Sequence, residues 1–107
     1  MIALSSAELS TVLGILAEHV PSIEVCVFGS RTRTKRKRFS DLDLALMTER
    51  PLPSSVLGHL RQAFSDSDLV FRVDLLDWAA ASKAARRGIA EQLVPLPVRR
   101  PDGVGSP

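Results

Sequence analysis

The sequence feature that most constrains the fold is a pair of short apolar segments that flank a polar, strongly basic stretch. Residues 23–28 are rich in β-branched side chains and are followed at once by Gly29, which predicts a buried strand that ends there. Residues 41–47 (Asp-Leu-Asp-Leu-Ala-Leu-Met) predict a second strand, whose alternate side chains point to opposite faces. These two strands define a β-sheet around which the rest of the chain must be arranged.

Helical patterns flank the two strands. Ser5 and Glu8 match a capping box ahead of apolar residues at helical spacing, which predicts a helix over about residues 6–19. Ser54 or Ser55 is predicted to cap a second helix. The remaining predicted elements, in chain order, are a strand over 69–76 and a helix over 82–93.

This order of elements predicts an α/β (α+β) fold, with a small mixed sheet of about three strands and helices mainly on one face. A length of 107 residues suits one domain. We expect that domain over 1–94 and a flexible C-terminal tail over 95–107, which holds four of the seven prolines. The single cysteine, the absence of an apolar run of bilayer length and a start unlike a secretory signal predict a cytoplasmic protein.

The charge of the chain is concentrated in one loop. Residues 31–38 carry six positive charges, and without them the net charge of +2 would become −4. Such a loop predicts attraction for an anionic species, and the sequence leaves open whether that is a nucleotide, a nucleic acid or an acidic partner.

Three aspartates are the candidate metal ligands and catalytic groups. Asp41 and Asp43 lie on one face of the second predicted strand, where two carboxylates repel each other unless a cation such as Mg²⁺ lies between them. Asp74 is the lone carboxylate in an apolar run of the third strand, and it would lie about 5 Å away if the two strands are neighbours. Three such carboxylates can hold two metal ions for phosphoryl or nucleotidyl transfer. Asp77 is a competing candidate, for which a capping role at the end of the strand is preferred.

The bend after the first strand is the candidate nucleotide-binding site. Gly29 allows a phosphate to approach the backbone, and Ser30 offers a hydroxyl and an N–H group. Arg31 can contact the phosphates through a charge-assisted hydrogen bond.

Gly29-Ser30, ten further residues, Asp41-Leu42-Asp43 and then Asp74 resemble the minimal nucleotidyltransferase (MNT) branch of the DNA polymerase β-like nucleotidyltransferases. The resemblance implies that Asp41, Asp43 and Asp74 bind Mg²⁺, and that Asp74 helps to deprotonate the acceptor hydroxyl. It further implies that the Gly-Ser bend holds the β- and γ-phosphates of ATP. A second glycine that is common after Gly-Ser-Arg in this branch is replaced by Thr-Arg-Thr at 32–34.

MNT proteins of this size are often antitoxins of HEPN/MNT toxin–antitoxin pairs. The resemblance therefore implies a hetero-oligomer in which the chain transfers AMP from ATP to a tyrosine hydroxyl of a HEPN ribonuclease toxin. The sequence contains no tyrosine, so a tyrosine acceptor must belong to the partner. Two alternatives stay open: an MNT-like module that neutralises its toxin by contact alone, and a nucleotidyltransferase that acts on RNA or a small molecule.

Overall fold

The computed structural model describes residues 4–29 and 41–97 as an α/β fold. The first half contains helix α1 and strands β1 and β2, and the second half contains α2, β3, α3 and β4. Their bounds are α1 Ser6–His19, β1 Val25–Phe28, β2 Leu42–Leu46, α2 Ser54–Ser65, β3 Val73–Asp77, α3 Lys83–Ile89 and β4 Val94–Pro95, with 3₁₀ turns at Trp78–Ala80 and Ala90–Gln92.

The described strands form one sheet in the order β3-β2-β1-β4. β2 runs parallel to β3, whereas β1 is antiparallel to both β2 and β4, so the prediction of a small mixed sheet is confirmed. The sheet has four strands where about three were expected. The additional strand is β4, whose two residues are too few to produce an alternating pattern in the sequence.

The position of β4 places the beginning of the predicted tail inside the fold. Pro95 is paired with Cys26 on the edge of the sheet, where its missing N–H is tolerated. Leu96 is only 5% exposed and donates its N–H to the carbonyl of Val25 at 2.9 Å. The ordered domain therefore extends beyond the expected boundary at residue 94, and residues 98–107 of the predicted tail lie outside the described part of the chain.

One face of the sheet packs against α1 and α2. The alternating leucines of β2 are fully buried there, and each contributes about 1.5–3 kcal/mol through burial of apolar surface. Val20, Phe71 and Leu96 complete this core, to which both helices and β1 contribute further members: Val12 and Leu16, Leu60 and Phe64, and Val25 and Val27. Because side chains alternate along a strand, the residues between the leucines of β2 point away from these two helices.

The predicted first helix is confirmed together with its cap. α1 has the bounds expected from the sequence, Ser5 Oγ accepts the N–H of Glu8 at 3.0 Å, and Glu8 Oε1 accepts the N–H of Ser5 at 2.9 Å. The predicted serine cap of α2 is wrong. Pro53 is the N-cap residue, and its carbonyl accepts N–H groups of the first turn without any side-chain hydrogen bond.

The bounds of the last strand and helix also differ from prediction. β3 covers Val73–Asp77 instead of 69–76, because its partner β2 begins at Leu42, which is paired with Val73. The final helix begins at Lys83 behind the N-cap Ser82, ends as an α-helix at Ile89 and continues as a 3₁₀ turn to Gln92. Within the described residues, no helix is both long enough and apolar enough to cross a lipid bilayer.

Candidate active site

The sheet brings the three predicted aspartates to one edge. Asp43 on β2 is the direct partner of Asp74 on β3, so their Cα atoms are separated by one strand spacing, about 5 Å. Asp41 precedes β2 by one residue and shares the face of Asp43. The intervening Leu42 and the following Leu44 are completely buried on the opposite face. The fold therefore produces the neighbouring strands on which the predicted carboxylate cluster depends.

Gly29 lies directly beneath the carboxylate of Asp43. It follows the end of β1, where Phe28 is paired with Asp43. Its φ is +82°, and a Cβ atom at this position would lie 2.5 Å from Asp43 Oδ2. Both the left-handed backbone and the close approach of the carboxylate require glycine here. This contact connects the predicted phosphate bend to the predicted metal ligands.

Gln92 supports this bend from the other side, which sequence reasoning did not predict. Its Oε1 accepts the N–H of Gly29 at 3.2 Å. β1 and β4 are antiparallel and pair Val27 with Val94. Two residues further along this register, Gly29 lies next to Gln92. Because the two residues are 63 positions apart and meet only through the two-residue strand β4, no local pattern could have revealed the contact.

Arg72 forms ion pairs with two of the three carboxylates. Its Nη2 lies 3.5 Å from Asp41 Oδ2, and its Nε lies 3.3 Å from Asp74 Oδ1. Arg72 and Asp74 are two residues apart, so the sequence placed both on one face of the predicted strand. Nothing in the sequence indicated that Asp41 would lie beside them. The guanidinium thus bridges the aspartate that precedes β2 and the aspartate of β3.

The third carboxylate, Asp43, lies in surroundings that disfavour its charge. Partial burial raises the pKa of Asp43 above its ordinary value, and the negative charges of Asp74 and Asp41 raise it further. The positive charge of Arg72 lowers this pKa and so offsets part of the effect. Asp43 is therefore the position at which an added positive charge would relieve the largest electrostatic cost.

The donor chemistry of this cluster fits a hard divalent cation. Carboxylate oxygens are the ligands that Mg²⁺ prefers in proteins, and three of them come from one sheet edge. Within residues 4–29 and 41–97, no three acidic, histidine or cysteine side chains converge on a single point in this conformation. Arg72 pairs with two of the candidate ligands, so binding of a cation by all three requires these pairs to open.

Asp77 has a structural position within the fold. It is 8% exposed and accepts hydrogen bonds from the hydroxyl of Thr48 and, at 2.7 Å, from the N–H of Leu52. It is the N-cap residue of a 3₁₀ turn, the position that the sequence predicted for it, but its side chain makes no cap hydrogen bond there. Its carboxylate instead connects the segment after β2 to the end of β3.

Ser30, Arg31 and the basic run at 31–38 lie outside the described residues.

A family profile decides the class of the protein. The profile described as "Polymerase beta, Nucleotidyltransferase" matches residues 11–96, which include both β2 and β3 and the aspartates that they carry. The chain belongs to this family. The predicted nucleotidyltransferase fold and the predicted enzyme class, a transferase of nucleotidyl groups, are thereby confirmed.

A curated relative of this nucleotidyltransferase supports its assignment to the minimal branch. The chain is 47% identical over 91 residues to the "Probable protein adenylyltransferase MntA" of Haemophilus influenzae (strain ATCC 51907 / DSM 11121 / KW20 / Rd). The match covers 85% of this chain and 80% of the relative. This identity extends well beyond the short motif on which the sequence comparison depended.

Solved structures share the fold. A chain from the crystal structure of a toxin–antitoxin with AMP-PNP has a TM-score of 0.70 and 25% identity, and the match covers 89% of this chain and 77% of that one. A chain from the complex of a tri-AMPylated Shewanella oneidensis HEPN toxin with an MNT antitoxin has a TM-score of 0.61 and 23% identity, over 82% of this chain and 67% of that one. At the lower identity the likeness concerns the fold alone.

Proposed function

We propose that this nucleotidyltransferase is an antitoxin that transfers AMP from ATP to a tyrosine hydroxyl of a HEPN ribonuclease toxin, with which it forms a hetero-oligomer. The observation that carries the proposal is the direct pairing of Asp43 with Asp74 beside Gly29, in a fold whose members transfer nucleotidyl groups. The 47% identity to a probable protein adenylyltransferase supports a protein acceptor. The proposed use of ATP supports a location of the reaction in the cytoplasm.

The proposed step exchanges a phosphoanhydride bond of ATP for a phosphoester bond to tyrosine. The tyrosine oxygen attacks the α-phosphorus of ATP, the bond to the β-phosphate oxygen breaks, and pyrophosphate leaves with the bonding electrons. Asp74 accepts the proton of the hydroxyl, for which its half-exposed side chain is accessible to an acceptor brought by the partner. Asp41 and Asp43 complete the acidic cluster around the reacting phosphate.

The nucleotide and metal are assigned to the same edge of the sheet. Gly29, with Ser30 and Arg31, holds the β- and γ-phosphates at the bend after β1, where glycine allows the backbone a positive φ close to the Asp43 carboxylate. Asp41, Asp43 and Asp74 hold Mg²⁺. When bound, this ion neutralises charge that develops on the phosphate oxygens.

Neutralisation by contact alone is the second candidate function, and one observation favours it. Arg72 pairs with both Asp41 and Asp74, so the acidic cluster is partly neutralised without a metal. In a protein without catalytic activity, Arg72 could remain paired with Asp41 and Asp74, because no metal would have to replace it. The two functions differ in whether protection against the toxin needs the carboxylates.

Radiolabel transfer tests the proposed reaction. The protein is incubated with α-labelled ATP, Mg²⁺ and the HEPN-type protein encoded by the neighbouring gene. Label on the partner is measured by autoradiography, and the modified tyrosine is located by mass spectrometry. We expect Asp43→Asn to reduce transfer at least 100-fold, because an amide is nearly the same size as a carboxylate but is a poor metal ligand. Asp68→Asn removes one carboxylate from an exposed turn and serves as the matched control, with transfer unchanged.

Protection of cells against the toxin separates the two functions. Under the proposal, the Asp43→Asn variant folds and binds the toxin but fails to protect, whereas Asp68→Asn protects. Full protection by a transfer-dead Asp43→Asn variant would favour neutralisation by contact. Label on an added RNA or small molecule, with none on the partner, would instead favour the alternative acceptors.

A further inference from the structure

Arg72 reaches the acidic cluster because its backbone is fixed beside β2. Its carbonyl accepts the N–H of Leu42 at 2.8 Å, which holds it level with the start of that strand. Arg72 also precedes Asp74 by two residues, so both side chains leave the same face of the sheet. The guanidinium therefore projects over the edge of the sheet on which the candidate metal ligands lie.

The two ion pairs of Arg72 use different nitrogens and different carboxylates. Nη2 pairs with Asp41 and Nε pairs with Asp74, so one cation bridges two residues that are assigned to a metal. Both distances, 3.5 and 3.3 Å, are long for charge-assisted hydrogen bonds. The Arg72 side chain is 73% exposed and the two carboxylates are 46% and 45% exposed. Pairs this exposed are weak and can open without burying an unpaired charge.

We propose that Arg72 is an internal counter-cation that occupies the metal-binding edge of the sheet and lowers the affinity of the site for a divalent cation. This inference rests on the proposed function, because it takes Asp41 and Asp74 as metal ligands. A divalent ion must displace the guanidinium from both carboxylates before all three aspartates can bind it. Once displaced, the exposed side chain of Arg72 can be accommodated in solvent.

The size of the effect follows from competition. The apparent affinity of a ligand falls by the fraction of molecules in which its site is available. If the bridged arrangement holds most of the molecules, removal of the guanidinium increases the apparent affinity about threefold to tenfold. The loss of one positive charge near the site acts in the same direction.

The test measures binding of Mn²⁺ to the full chain by isothermal titration calorimetry and electron paramagnetic resonance, without nucleotide or partner. We expect Arg72→Gln to bind Mn²⁺ about threefold to tenfold more tightly than the unmodified protein. Arg61→Gln, which removes the same charge from an exposed position of α2, is the matched control and should leave the affinity unchanged. Arg72→Lys keeps the charge but offers a single nitrogen for two carboxylates, so its affinity should be intermediate. It carries the test if Arg72→Gln does not fold.

Several results would overturn the inference. Equal or weaker Mn²⁺ binding by folded Arg72→Gln would show that the guanidinium does not compete with the ion. Unchanged Mn²⁺ binding together with weaker AMP-PNP binding would assign Arg72 to the nucleotide instead. Metal affinity is measured independently of AMP transfer. If Arg72→Gln binds Mn²⁺ more tightly in a protein that transfers no AMP, this inference is sustained while the proposed function fails.

Discussion

Replacement of Gly29 by alanine tests the geometry that joins the phosphate bend to the acidic cluster. The added Cβ would lie 2.5 Å from Asp43 Oδ2, and the backbone would have to keep a φ of +82° with a side chain present. Either the backbone moves or the carboxylate of Asp43 moves. Both responses disturb the site at the point where β1 meets β2.

The structure sets the magnitude of this change. A left-handed backbone conformation costs a residue with a Cβ about 1–2 kcal/mol. Rotation of Asp43 away from the new methyl group costs about 0.5–1.5 kcal/mol more if it leaves its preferred rotamer. The lower entropy of the unfolded chain with alanine favours folding by about 0.4–1 kcal/mol and offsets part of this loss. We therefore expect the free energy of unfolding to fall by about 2 kcal/mol, which lowers Tm by about 10 °C in a domain of this size.

Urea unfolding of the metal-free protein, followed by circular dichroism, measures the change. Gly14→Ala is the matched control, because its Cβ would meet no atom within 4 Å on the exposed side of α1. This control should raise the free energy of unfolding by up to about 1 kcal/mol, since alanine is the better helix former. AMP transfer by Gly29→Ala should fall at least tenfold, while Gly14→Ala should keep full activity.

A double-mutant cycle with Asp43→Ala separates the two sources of the cost. Without the carboxylate, Gly29→Ala should cost only the backbone part, about 1 kcal/mol, so the two sites should be coupled by about 1 kcal/mol. An identical cost in both backgrounds would refute the close approach of Asp43 to Gly29. No cost in either background would refute the positive φ as well.

Three further substitutions test other parts of the structure. Asp43→Asn should raise the free energy of unfolding of the metal-free protein at pH 7 by up to about 1 kcal/mol, because the raised pKa of Asp43 means that its charge opposes folding. The electrostatic cost of the Asp43 charge is complete above its folded-state pKa and absent below the ordinary value of 3.8. The stability gained by Asp43→Asn should therefore vanish in urea titrations near pH 3. A gain in stability that grows on acidification would contradict the raised pKa. Asp77→Asn should lower the free energy of unfolding by about 1–3 kcal/mol, because its amide cannot accept hydrogen bonds from both Thr48 and Leu52. AMP transfer by the folded fraction should stay unchanged. Loss of transfer in folded protein would place Asp77 in the active site. Leu96→Ala should lower the free energy of unfolding by about 2–4 kcal/mol in the same assay, and a change below about 0.5 kcal/mol would show that residue 96 is not part of the core.

The elements that carry the aspartates were predictable because their signals are local. The alternation of Asp41 and Asp43 with leucines indicated a strand with one core face, and the structure has that pattern from residue 41 to residue 44, whereas Ala45 is buried as well. The capping box at Ser5 and Glu8 located the start of α1 for the same reason, since both partners lie within one turn. The resemblance to minimal nucleotidyltransferases then supplied the proximity of Asp74, which spacing alone left conditional on strand order.

The features that were missed depend on contacts between distant parts of the chain. β4 has two residues and a proline, so only its pairing with β1 makes it a strand. Gln92 meets Gly29 as a consequence of that pairing. The bridging position of Arg72 requires β3 to lie beside the start of β2 in parallel register, which no single segment specifies. Side-chain partners across a sheet are therefore the part of a site that a lone sequence leaves undetermined.

The two faces of β2 carry different groups, apolar residues toward the helices and Asp43 on the other side, so stability and catalysis can be tested separately. Leu42 and Leu44 are fully buried against the helices, whereas Asp43 between them faces the opposite side and adds an electrostatic cost. Removal of the Asp43 charge therefore leaves the core unchanged and relieves repulsion with its acidic neighbours. A substitution that stabilises the protein while it abolishes transfer is the pattern expected of a residue retained for catalysis at the expense of stability. If Asp43→Asn instead destabilised the fold, the carboxylate would be a structural group, and the case for an active site at this edge of the sheet would be lost.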